Sequence, residues 1–317
     1  MENSPVRILS YGGGLDSWTM LLLAIDGKLP KPDLVIFADV SNGCPEHDPS
    51  DPGEWPSTYR HIREVAMPLC EAHGIEFKWL TSDEIPVRQS KNNPDGFRSL
   101  YAYFRHERMF FGARSKLCTI AAKVDRIGKY VEARYPEGEL EVWIGFGADE
   151  QSRLKDNRYA QKGRRTERYP LMELGMCRCR EEAYARASGY PVPRKSACVF
   201  CPHSSRGDFQ TLARELPEWF AKVEEIEHTC KLTGEKKRAK AVKDGLTEQE
   251  AWEKHPGRKL RYSGTGDDKP VLREWVATPF KGRRENETCP VCGDKKATKR
   301  TGCDFLCERT RSGAATW

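Results

Sequence analysis

The chain has 317 residues, 38% of them hydrophobic and 32% charged, with a net charge of +6. That length allows one large domain and a small one, and the mild positive excess suits an anionic substrate without by itself calling for nucleic acid. No apolar run reaches about 18 residues, so no membrane span is expected; the first residues lack a basic-then-apolar signal pattern, and in the expected cytoplasmic setting the 12 cysteines read as metal ligands, thiols or core residues rather than disulfides.

In chain order, Val6-Arg7-Ile8-Leu9-Ser10 reads as a short buried strand, and Gly12-Gly13-Gly14 follows at once. A helical pattern runs from Trp18 to Ile25, a second strand from Leu34 to Asp39, a helix from Tyr59 to His73 and a third strand from Glu76 to Leu80. Another helix spans Cys118 to Arg134, and a fourth strand spans Leu140 to Gly145. This alternation predicts an α/β fold, a doubly wound and mostly parallel sheet with helices on both faces. Ligands of such folds sit beyond the carboxyl ends of the strands. Cys44 to Pro56, rich in Pro, Asp and Ser, reads as a loop insertion, and 153–168, with seven basic and two acidic residues, as a basic loop. Thr265 to Lys269 reads as a linker, and no internal repeat is evident.

A strand, a glycine triplet and a helix beginning near Asp16-Ser17 form a phosphate-binding arrangement. Glycines let backbone N–H groups approach an anion, and the helix N-terminus adds partial positive charge. Three known loops compete. A Walker A loop needs a Gly-Lys-Ser/Thr that is missing. A Rossmann fingerprint needs a third Gly or Ala where Ser17 stands, although Asp39 lies where a ribose-binding acid belongs. The pyrophosphatase loop, Ser-Gly-Gly-x-Asp-Ser, is matched by Gly12-Gly13-Gly14-Leu15-Asp16-Ser17 except at its first position, with Ser10 just upstream. A glycine turn without a ligand is the bland alternative.

Further segments carry a resemblance. Phe37-Ala38-Asp39 with Glu54 and Pro56-Ser57-Thr58-Tyr59, then Cys118-Thr119 with Lys123, then Gly145 through Asp149-Glu150 to Arg153, then Tyr169-Pro170-Leu171, then Cys198-Val199-Phe200-Cys201-Pro202 follow one another in order. Together they resemble the phosphoadenosine-phosphosulfate (PAPS) reductase family of the pyrophosphatase-loop ATP pyrophosphatase superfamily, over roughly residues 6–225. The resemblance implies an adenine nucleotide alpha-hydrolase-like fold. It implies that Ser10, Gly12, Gly13, Gly14, Asp16, Ser17 and Gly145 cradle the phosphates of ATP or a PAPS-like nucleotide. Ala38 and Asp39 would lie near the adenosine, and Asp149, Glu150 and Arg153 over the phosphate end. Arg153 can fork onto phosphate oxygens, and a nearby carboxylate can hold Mg²⁺. The mobile Glu-Cys-Gly-Leu/Ile-His tail of sulfonucleotide reductases is not found in the sequence, which argues against classical PAPS reduction, and the intact Asp16-Ser17 of the loop favours the branch that cleaves ATP to AMP and pyrophosphate for sulfur or amine transfer.

By the same resemblance, Cys118, Cys198 and Cys201 would hold a [4Fe–4S] cluster, with Cys177, Cys179 or His203 as fourth ligand; zinc or plain thiols are the alternatives. Cys289, Cys292, Cys303 and Cys307, spaced Cys-x2-Cys-x10-Cys-x3-Cys, read as a tetrahedral Zn²⁺ site in a small C-terminal module that needs its metal to fold. The expected division is 1–225 for nucleotide binding, 226–280 for a helical basic extension and linker, and 281–317 for the zinc module. Basic stretches from Lys231 to Lys243 and Lys281 to Arg311 suit either nucleic-acid contact or a solvated surface. The leading expectation is an enzyme acting on an adenine nucleotide, with a nucleic acid or sulfur-transfer protein as further partner. A non-catalytic nucleotide-sensing accessory protein and a Rossmann dehydrogenase are the rivals.

Overall fold

The computed structural model describes residues 4–43, 48–90, 93–107, 117–156, 161–254, 272–277, 289 and 291–292. Among the described residues there are eight strands: β1 (Val6–Ser10), β2 (Leu34–Ala38), β3 (Glu76–Leu80), β4 (Arg88–Ser90), β5 (Asn93–Phe97), β6 (Leu140–Trp143), β7 (Gln161–Lys162) and β8 (Arg165–Arg168). The main sheet runs β3-β2-β1-β6-β8-β7. Every pairing in it is parallel except β7 with β8. β4 and β5 form a separate antiparallel hairpin.

β2 is buried at every position, as a parallel strand covered on both faces should be. Its alternate residues feed two cores. Val35 and Phe37 join Leu9, Trp143 and the first helix (Leu15–Ile25) on one face. Leu34, Ile36 and Ala38 join Ile8, Val142 and Val131 of the helix Asp125–Arg134 on the other. A third apolar group, containing Trp55, Phe104, Phe200, Phe209 and Trp275, gathers helices Leu100–Glu107, Arg206–Glu215, Pro217–Lys243 and Leu272–Ala277. The helix Pro217–Lys243 runs through residue 225, so the drawn boundary between the first two segments falls inside one helix.

The helix expected over Tyr59 to His73 forms as Pro56–His61, a π turn at Ile62–Ala66, and Met67–Ala72. Pro68 has no N–H to donate, and the widened turn just before it absorbs the break in the ladder. A second difference concerns 153–168. The sequence predicts a basic loop there, yet Arg165–Arg168 is β8, paired in parallel with β6 from Leu140↔Arg165 to Trp143↔Arg168. Its side chains carry no apolar signal. The strand is held by backbone register and by charge: Arg168 meets Glu173 at 2.8 Å and Glu141 of β6 at 3.5 Å. No described helix is long and apolar enough to cross a membrane.

Candidate nucleotide-binding site

The chain leaves β1 in one direction to β2 and β3, then returns to place β6 on the other flank of β1. That reversal makes β1/β6 the switch point, where connections diverge and leave a crevice beyond the strand ends. The loop after β1 is Gly12–Gly14, and the loop after β6 carries Gly145 and Gly147. The second loop touches the first turn of the helix that follows the first: a Cβ on Gly145 would lie 3.0 Å from the Cβ of Asp16 and 3.3 Å from the backbone N of Ser17.

Within the first loop, Gly13 has φ +70°, a left-handed conformation that costs other residues energy. Its added Cβ would also stand 2.6 Å from Thr58 Cγ2. Gly14 faces Ser196 at 3.2 Å, while a Cβ on Gly12 would meet nothing within 4 Å. Ser17 Oγ accepts from the Gly12 N–H at 3.2 Å and donates to the Gly14 carbonyl at 3.1 Å, closing the turn. Gly14 is the N-cap of the first helix and supplies no side-chain cap. The first-turn amides therefore keep an open, partly positive end, which suits phosphate oxygens.

Three carboxyl groups line this contact. Arg178 Nη1 donates to Asp16 Oδ1 at 2.9 Å, and the Arg178 backbone N–H donates to Asp149 Oδ1 at 3.2 Å. Glu181 is fully buried, and neither carboxylate oxygen has a hydrogen-bond partner of good geometry. Burial, followed by the adjacent Asp16, pushes its carboxyl up to about 10, so it holds a proton at neutral pH. A Cβ on Gly147 would collide with Glu181 Oε1 and Asp149 Oδ1, at 2.7 and 2.9 Å. Glu150 sits at a kink in the 3₁₀ segment Ala148–Asp156. The side chain of Arg153, in that same segment, lies outside the described residues.

Ser10, expected in the phosphate cradle, and Ala38 and Asp39, expected at the adenosine, sit at the carboxyl ends of β1 and β2. Ser10 ends β1 and is half-buried. Ala38 is buried in the core with Ile8, Val131 and Val142. Asp39 is fully buried, and its carboxylate accepts from Ser41 N and Oγ, Tyr59 Oη and Trp79 Nε1 at 2.8–3.1 Å. A carboxylate so fully engaged has little capacity left for ribose hydroxyls, which counts against the dinucleotide reading of the loop.

On the other side of the glycines, Ser196 Oγ reaches the Gly12 carbonyl and, at 3.0 Å, Glu54 Oε2. Lys123 donates to Glu54 Oε1. Burial works against the Lys123 ammonium, yet Glu54 and then Cys198 outweigh it and hold its pKa above the ordinary lysine value. Glu54 also bridges backbone to backbone with Cys198, so this charged pair separates the loop from the first thiol group. Burial, then Glu54, pushes the Cys198 thiol well up, with Cys201 and Cys118 contributing. Cys118, Cys198 and Cys201 are thus electrostatic neighbours beside the loop.

A tighter thiol group lies elsewhere. The Sγ atoms of Cys177, Cys179, Cys289 and Cys292 all fall within 4.8 Å of one another. The structure therefore brings Cys289 and Cys292 against the Cys-x-Cys at the start of helix Arg178–Ala187. Cys303 and Cys307 lie outside the described residues, as does almost all of 281–317. Arg178, Glu181 and this pairing are absent from the sequence-stated site. The available signal was Cys177-Arg178-Cys179, two thiols flanking a cation and separated by five residues from Tyr169-Pro170-Leu171.

The fold and loop together define a doubly wound α/β protein with an anion-ready glycine loop at its switch point. The sequence matches no known family model and no curated protein. Among solved structures, the U34-tRNA thiolase NcsA from Methanococcus maripaludis, determined with its [4Fe-4S] cluster, is similar at 16% identity and a TM-score of 0.39, over 99% of this chain and 83% of that one. A likeness at that level adds nothing to the case made by the geometry.

Proposed function

We propose that this chain binds ATP at the β1/β6 switch point and acts as a pyrophosphatase-loop enzyme, releasing pyrophosphate to activate a substrate for sulfur transfer. The observation that carries this reading is the contact of Gly145, in the loop after β6, with the first turn of the uncapped helix that follows the β1 glycines at the switch point. Backbone N–H groups from Gly13 to Ser17 would hold the phosphates. Gly12 leaves open space for an oxygen to approach. Asp149, the exposed member of the acidic trio, would hold Mg²⁺ together with the phosphates, and that ion would draw charge from the departing pyrophosphate. Arg178 positions Asp16 and would turn toward a phosphate when the anion enters.

In this chemistry an acceptor oxygen attacks the α-phosphorus. The bond from that phosphorus to the bridging oxygen of the β-phosphate breaks, pyrophosphate leaves with the electron pair, and a sulfur nucleophile later displaces AMP. Cys118, Cys198 and Cys201 would hold a [4Fe–4S] cluster, which would supply sulfur activation or electron transfer beside the loop. Their electrostatic coupling to one another and to Lys123, beside the loop, supports this assignment. PAPS in place of ATP remains a finer choice of substrate at the same site, and nucleic acid and a sulfur-transfer protein are the partners proposed. The test is Mg²⁺-dependent release of AMP and pyrophosphate from ATP, with PAPS as the competing ligand. Release without PAPS turnover supports the reading, and failure to bind either nucleotide overturns it.

A further inference from the structure

The four clustered thiols come from two places far apart in sequence. Cys177 and Cys179 open the helix Arg178–Ala187, with Cys177 as N-cap; Cys289 and Cys292 stand in the sequence Cys-Pro-Val-Cys more than a hundred residues later. Cys177 and Cys289 are buried, and Cys179 and Cys292 half-buried. Among the described residues this is the one group of at least three Cys, His, Asp or Glu side chains with ligand atoms mutually within 4.8 Å.

The spacing selects the occupant. Four thiolates about 2.3 Å from one zinc stand about 3.8 Å apart in a tetrahedron, which fits atoms gathered within 4.8 Å. A four-iron cube holds its thiolates further apart than one shared ion does. Four sulfur ligands with no oxygen donor suit Zn²⁺ rather than a hard cation. Each pair is a short chelate, and a closed four-thiolate set leaves no open position, the mark of a structural site.

We propose that Cys177, Cys179, Cys289 and Cys292 bind one structural Zn²⁺ that staples the C-terminal segment to the nucleotide domain. This differs from the ligand set expected from sequence, in which Cys303 and Cys307 complete the site. The staple falls where it can set the loop contact. The residue between the two thiols is Arg178, whose guanidinium holds Asp16 and whose backbone N–H holds Asp149. The preceding Met176 carbonyl accepts from Ala148 N–H at 2.7 Å, which ties the same knuckle to the loop after β6. The metal thus fixes the backbone of a positioning residue, Arg178, and the site itself stands whether or not the loop takes a nucleotide.

The test is metal analysis and cobalt spectroscopy on the full chain. The purified protein should hold about one zinc at this site. Cys179→Ser and Cys292→Ser should lose it, while Cys303→Ser and Cys307→Ser keep it. Because a serine variant can simply fail to fold, Cys179→His is the second arm. It preserves a fourth ligand, and its Co²⁺ derivative should move from a four-sulfur to a three-sulfur, one-nitrogen spectrum, whereas Cys303→His should leave the spectrum unchanged. Full zinc and an unshifted cobalt spectrum in the Cys179 variants would overturn the assignment. So would iron and sulfide at these thiols in place of zinc, or two disulfides revealed by thiol titration.

Discussion

Arg178 Nη1 lies 2.9 Å from Asp16 Oδ1, across 162 positions of sequence. Both side chains are more than two-thirds buried, and the pair joins the helix after Cys177 to the first turn after the glycines. Arg178→Ala removes the cation from a cluster of three carboxyl groups, so ATP binding should weaken by about tenfold, a loss typical of a forked charge-assisted contact. Arg178→Lys keeps the charge without the planar fork and should lose less. Calorimetric titration checks both, and equal affinities in wild type and Arg178→Ala would remove Arg178 from the site.

The glycines separate folding from binding. Gly13→Ala forces a side chain into φ +70° and against Thr58, and should cost at least about 1–2 kcal/mol of stability. Gly12→Ala meets nothing within 4 Å, so its unfolding midpoint should hold while its ATP affinity falls. Urea unfolding and calorimetry on the two variants distinguish these roles. A Gly12→Ala protein that binds ATP as tightly as wild type would mean the open space is not where the phosphates lie.

These contrasts show what sequence alone could deliver. The parallel sheet was legible because β1, β2 and β6 are short apolar runs between helices, and the loop was legible because glycines interrupt that alternation at a strand end. β8 was not: Arg165-Thr166-Glu167-Arg168 has no apolar period, and only pairing with β6 makes it a strand. Asp39 stood at the right spacing for a ribose ligand, but spacing cannot show that Tyr59, Trp79 and Ser41 already occupy its oxygens. The Cys-x2-Cys near the C-terminus is legible as a spacing in the sequence, whereas its proximity to Cys177 and Cys179 is a long-range fact of the fold.

Glu181 gives the pH dependence. Its carboxyl is raised from an ordinary 4.5 to about 10, so between those values the native chain holds a proton that the unfolded chain has released. Stability from this group therefore falls as pH rises, by up to about 1.4 kcal/mol per pH unit. Glu181→Gln, neutral and of the same shape, should flatten that decline. Urea unfolding from about pH 6 to about pH 9 reads it, and parallel profiles for the two proteins would show that Glu181 is ionised in the fold.

Lys123 and Glu54 form a pair with the carboxylate fully buried. Lys123→Met leaves that carboxylate to Ser196 alone and should destabilise the fold by about 3 kcal/mol. Replacing both, as Lys123→Met with Glu54→Gln, should recover part of the loss. Chemical denaturation of the single and double variants tests this, and additive losses would mean the two side chains do not act as a pair.

The central claim is that the switch-point loop binds ATP and turns it over. The direct measurement is Mg²⁺-dependent formation of AMP and pyrophosphate by the wild-type chain, run beside Gly12→Ala and Asp16→Ala and alongside calorimetric ATP binding. The account predicts saturable binding and release of both products by wild type, with both reduced in the two variants. ATP binding and product release that are absent in wild type, or identical in all three proteins, would contradict it.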